Sequence, residues 1–80
     1  MKSLTEFVEL FAELFDETDP AQITADTAFR DLDEWSSLLA LSVIAMADDE
    51  FGVALKGDDI RQSNTVGDLY DRVVANAINR

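Results

Sequence analysis

The sequence predicts an all-α domain: a small four-helix bundle of three main helices and one short helix, with a long loop between helices 1 and 2. Three observations carry this. Apolar residues recur at three- and four-residue spacing in three separate segments, the period of one helix face. A Ser or Thr opens each of those segments, where a hydroxyl can cap the free N–H groups of a first turn. No segment reads convincingly as a strand, and the 80 residues show no repeat or low-complexity tract, so one domain over 1–80 is expected.

The first helix is expected from about Ser3 to Phe15. Leu4, Phe7, Val8, Leu10, Phe11, Leu14 and Phe15 form its apolar stripe, and Ser3 with Glu6 has the form of a capping box. Asp16 to Trp35 reads as a loop. It holds the only proline, Pro20, with many Asp and Thr residues, and Ile23, Phe29, Leu32 and Trp35 are its anchor points. Loops of this length without regular structure are uncommon in small domains and are often functional. The second helix should start at Ser36 or Ser37 and run to about Phe51, with Gly52 as its C-cap. Its apolar positions are dense, and Asp48, Asp49 and Glu50 place negative charge at the end the helix dipole disfavours. Val53 to Asn64 is a connection in which Asp58 or Asp59 caps a short helical turn through Arg61. The last helix begins at Thr65, with Asp68 at its N3 position and a stripe of Leu69, Tyr70, Val73, Val74, Ala77 and Ile78.

Composition excludes several functions. There is no histidine and no cysteine, so Ser-His-Asp hydrolysis, thiolate metal sites and disulfides are ruled out, and no metal is expected. The net charge of -11 repels nucleic-acid backbones and anionic membranes, and would steer basic partners toward the surface. No apolar stretch is long enough to span a bilayer and no signal peptide is visible, so a cytoplasmic protein, monomeric by default, is expected.

Ser36 and Ser37 are the residues that raise a functional question. The plain reading is capping, with Ser36 as N-cap and Ser37 at N1. However, free N–H groups and the positive dipole end in a first turn also favour a phosphate ester, which would be held there without a basic side chain. This physics serves ordinary phosphorylation equally well.

Wider spacing adds to that reading. Ser37-Leu38 is followed after twelve residues by Phe51-Gly52, then Val53-x-Leu55, then Asn64-Thr65-Val66-Gly67-Asp68-Leu69. With Thr24, Ala28, Phe29 and Asp31-Leu32 upstream, this pattern resembles the acyl carrier protein family over nearly the whole chain. That family's modified serine lies in an Asp-Ser-Leu motif at the start of its second helix, and Ser37 is the residue in register. The resemblance implies a non-enzymatic carrier. Ser37 would bear 4'-phosphopantetheine, supplied by coenzyme A, and the arm's thiol would hold acyl intermediates as thioesters for a fatty-acid, polyketide or other specialised pathway.

The resemblance also implies an acyl cleft lined by Ile44, Ala47, Phe51, Leu55, Ile60, Ser63, Leu69 and Val73. It implies a phosphopantetheinyl transferase and acyl-processing enzymes with basic docking surfaces as partners. Leu38, Leu39, Ser42, Asp48 and Asp49 would meet them. Three departures stand out. Ser36 replaces the motif's aspartate, Leu39 and Ser42 replace acids two and five residues after the serine, and Asp33-Glu34-Trp35 replaces a Gly-containing link. An exposed Leu39 would therefore make the partner face more apolar than is usual. Trp35 would pack on the core or shield the base of the arm.

Two other readings remain open on the residues. One is an aminoacyl carrier of peptidyl or D-alanyl type, using the same arm. The other is an unmodified acidic helical adaptor that binds a basic partner through Asp48, Asp49 and Glu50. Calcium binding is weaker, because these acids lack EF-hand spacing.

Overall fold

A computed structural model describes residues 2–78, with the backbone alone for Ile78, so that residue's expected place in the last apolar stripe lies outside the described side chains. The elements are α1 (Leu4–Glu13), a 3₁₀ turn (Pro20–Gln22), a second 3₁₀ turn (Phe29–Asp31), α2 (Ser37–Phe51), α3 (Gly57–Arg61) and α4 (Val66–Ile78). The all-α class and the three long and one short helices are as the sequence predicts, and the described residues contain no strand. Helix α1 packs on α4 and α2, α2 on α4, and α3 on α4.

Local chemistry sets most boundaries. Ser3 Oγ accepts from Glu6 N–H at 3.2 Å, but the return bond of a full capping box is not formed among the described residues. Helix α1 ends at Glu13, short of the expected Phe15. Beyond it the backbone N–H groups of Asp16, Glu17 and Thr18 turn toward the carboxylate of Glu34, which accepts them at 2.8, 3.0 and 2.9 Å. Helix α2 ends in a Schellman motif: Gly52 is left-handed at φ 64°, its N–H bonds Asp48 O, and Val53 N–H bonds Ala47 O. Helix α3 starts earlier than expected. Its N-cap is Lys56, whose N–H is held at 2.9 Å by Asp59 reaching back from inside the helix.

Helix α4 carries a reciprocal box, with Asp68 N–H donating to Thr65 Oγ1 at 3.1 Å and Thr65 N–H donating to Asp68 Oδ2 at 3.2 Å. Two further first-turn donors are satisfied by the long loop. Val66 N–H bonds Thr27 O and Gly67 N–H bonds Ala25 O at 2.8 Å. A Cβ at position 67 would stand 3.1 Å from that Ala25 oxygen, so glycine is what lets the loop approach the helix so closely.

The loop is not structureless. Its two 3₁₀ turns, the Glu34 latch, the α4 contacts and Arg30 tie it down, with Arg30 donating to Arg61 O at 2.8 Å and Asn64 Oδ1 at 3.0 Å. Beneath it lies an aromatic cluster. Trp35 meets Phe29 edge-on at 4.8 Å and stacks on Phe11 and Phe15 at 6.4 Å. At the other end of α1, Phe7 meets Phe51 and Tyr70, each at 5.5 Å.

Candidate functional site

The start of α2 is where sequence and structure converge. Ser36 is the N-cap and its hydroxyl accepts from Leu39 N–H at 3.4 Å, a long bond. Ser37 is the first helical residue and is exposed. The N–H groups of Ser37 and Leu38 precede the first intrahelical bond, from Ala40 to Ser36 O, so both point out of the helix end. No acidic side chain lies in this first turn. The replacement of the expected aspartate by Ser36 thus leaves a capped helix end with no negative charge of its own.

Beside Ser37 opens a groove of about 600 Å³. Trp35, Ala40, Leu41, Ile44 and Ile60 give it apolar walls, while Ser36, Ser37, Gly57, Arg30 and Arg61 give it polar ones. Trp35 packs on the core, one of the two roles expected of it, and also lines the groove that holds Ser37.

The eight residues expected to line an acyl cleft divide into two groups. Ile44 and Ile60 line the groove. Ala47, Leu55, Ser63, Leu69 and Val73 are closed into the core, and Phe51 is half-buried against Phe7. The Ser63 hydroxyl is committed as well, donating to Asp59 O at 2.8 Å.

The expected partner residues also divide. Leu38 is 73% exposed, and Asp48 and Asp49 are exposed. Ser42 is half-buried with its hydroxyl donating to Leu38 O at 3.1 Å. Leu39 corrects the expectation of an exposed side chain, for it is only 9% exposed and belongs to the core. Once Ser37 opens the helix, position 39 turns inward with Val43, Met46 and Ala47. The outward face is Leu38, Leu41, Ala45 and Asp48, apolar near Ser37 and acidic at the far end. Leu41, at 63% exposure, is the exposed apolar residue one turn from both Ser37 and Leu38.

Glu34 is a structural residue that sequence reasoning passed over. Desolvation pushes its pKa up, but hydrogen bonds from the Asp16 backbone, the Thr18 side chain and the Glu17 and Thr18 backbones outweigh it, and the net pKa is lowered. Arg30 and Arg61 were likewise unseen, because their meeting spans 31 residues of sequence.

The family model described as "Phosphopantetheine attachment site" matches residues 5–73. This chain belongs to the acyl carrier protein family. Two similar relatives are the acyl carrier proteins of Tropheryma whipplei strains Twist and TW08/27. Each is 31% identical over 62 residues, covering 75% of this chain and 76% of the relative. No solved structure is significantly similar to the chain. The protein is a carrier and not an enzyme, and its cofactor is covalently attached 4'-phosphopantetheine. The surroundings of Ser37 fit that group: an exposed serine, unused first-turn N–H groups, and a groove lined by two arginines and an apolar wall lie together. Among the described residues, no helix of the carrier is long and apolar enough to cross a membrane.

Proposed function

We propose that Ser37 is the attachment site and that the protein carries acyl intermediates of a fatty-acid, polyketide or other specialised pathway in the cytoplasm. The observation that carries this reading is the exposed Ser37 hydroxyl at the open first turn of α2, on the wall of an apolar groove. When bound, the arm supplies the thiol that holds cargo as a thioester. The chain's own residues present it. Ser36 holds the helix start, the first-turn N–H groups favour the phosphate oxygens, and Leu41, Ile44 and Ile60 offer apolar surface to the first part of a cargo chain.

The sealed positions Ala47, Leu55, Ser63, Leu69 and Val73 would admit a longer chain only if the helices around them part. The partner face is the outward stripe of α2. Leu38 and Leu41 meet apolar surface on a phosphopantetheinyl transferase or acyl-processing enzyme, and Asp48 and Asp49 meet its basic side chains.

Intact-mass analysis of the carrier from its native host, before and after hydroxylamine treatment, tests this. A phosphopantetheine adduct bearing a hydroxylamine-labile acyl group is expected. A labile aminoacyl group would replace the proposed cargo with an amino acid. An unmodified chain copurifying with a basic protein would sink the proposal in favour of an adaptor.

A further inference from the structure

We propose that Arg61, backed by Arg30, is the counter-charge that holds the phosphodiester on Ser37 and directs the arm along the groove. This rests on the reading of Ser37 as the attachment site. The whole chain has six basic side chains against seventeen acidic ones, yet among the described residues two of them line the groove that also holds Ser36 and Ser37. No sequence feature requires that. A phosphodiester adds one more negative charge to a protein already at -11, and two arginines lining the same groove as Ser37 would oppose that repulsion.

The two arginines play different parts. Arg30 is fixed by the fold, since its guanidinium donates to Arg61 O at 2.8 Å and Asn64 Oδ1 at 3.0 Å. It sets a positive background and positions the α3 end of the groove. The Arg61 guanidinium is available. Its side-chain bond is to Asp58, and the two side chains are 71% and 73% exposed, so solvent screens the pair and exchange for another anion is easy. It also lies 3.5 Å from where a side chain at Gly57 would begin, and Gly57 is itself part of the groove wall. The absence of a side chain there leaves room for the guanidinium against the start of α3. Arginine's planar fork can grip two phosphodiester oxygens at once, which a carboxylate-paired surface arginine gives up little to do. Arg72 serves as an internal control, because it is held by Gln62 and Asp59 and is not in the groove wall.

The test is made on the full chain converted with coenzyme A and a broad-specificity phosphopantetheinyl transferase, with intact mass recorded first. Proton–nitrogen spectra of the arginine Nε–H groups and phosphorus spectra of the arm are then compared. The Arg61 Nε–H resonance should move between apo and holo forms while that of Arg72 stays. The phosphorus resonance should shift with added salt as screening loosens the contact. Arg61→Gln should abolish that salt response, and Arg61→Lys should retain part of it. Asp58→Asn should enlarge the Arg61 shift by removing the competing carboxylate. Arg61→Gln leaves the fold intact, since the backbone oxygen and not the side chain receives Arg30. An adduct on Ser37 with an unmoved Arg61 and identical phosphorus spectra in the variant would overturn this proposal alone. No adduct at all would overturn the attachment reading and this proposal together.

Discussion

Helices α2 and α4 begin alike in sequence and differently in space. Each has a hydroxyl residue as its cap, Ser36 and Thr65. At α4 the cap bond is 3.1 Å, Asp68 closes the box, and the loop carbonyls of Ala25 and Thr27 take the next donors. At α2 the cap bond is 3.4 Å, no acid stands in the first turn, and among the described residues no loop carbonyl takes the Ser37 or Leu38 N–H. A helix start becomes a place for phosphate chemistry when its donors are left over, not merely because a serine is there. The loop that seals α4 runs straight into α2, and Trp35, held in the aromatic cluster, lines the groove beside Ser36 and Ser37 without taking their first-turn donors.

The comparison can be broken most decisively at Ser37. Ser37→Ala is expected to remove all modification by a phosphopantetheinyl transferase while leaving the melting temperature nearly unchanged, as read by intact mass and circular dichroism. Next in size is Gly67→Ala. A helical Gly→Ala change usually adds up to about 1 kcal/mol. Here the new Cβ would press on an Ala25 oxygen that Gly67 N–H itself holds, so a loss of about 1–3 kcal/mol is expected. A gain in stability would show that the seal over α4 is loose.

The paired caps give a smaller contrast. Thr65→Ala should cost about 1 kcal/mol, or roughly 4–8 °C in melting temperature for a domain of this size. Ser36→Ala, which removes a longer bond, should cost less, and neither change should prevent modification. Equal losses would erase the distinction between a closed and an open start.

The smallest expected effect is the acid sensitivity of the loop through Glu34. Its folded pKa is lowered, so its stabilisation is present above the unfolded-state value and fades as pH falls through the folded value. Glu34→Gln should therefore be less stable than the parent at about pH 7, with the gap closing as acid takes the pH below the folded value. A difference that persists in acid would assign Glu34's role to packing and not to charge.

What sequence made legible was local. The Ser36 and Thr65 caps, the Gly52 stop and the inward positions Phe7, Phe11, Leu69 and Val73 are decided by neighbours within four residues and stand where the pattern put them, whereas Leu4 is exposed. Leu39 was misplaced for a physical reason. Helix α2 has apolar residues on more than one face, so periodicity could not say which would turn inward, and Leu38 and Leu41 remain outside instead. The loop's anchors were also hidden, because Glu34 reaches back 16 to 18 residues and Arg30 forward more than 30. The groove next to Ser37 depends on those anchors, so Ser37 could be found from sequence and its arginine neighbours could not.

The most direct measurement is to locate the adduct. The parent chain is incubated with coenzyme A and several phosphopantetheinyl transferases, then digested and sequenced by tandem mass spectrometry. A single phosphopantetheine on Ser37 is expected, with Ser36 and Thr65 unmodified. An adduct on Ser36, or none with every transferase, would contradict the assignment of the open start of α2 as the carrier site.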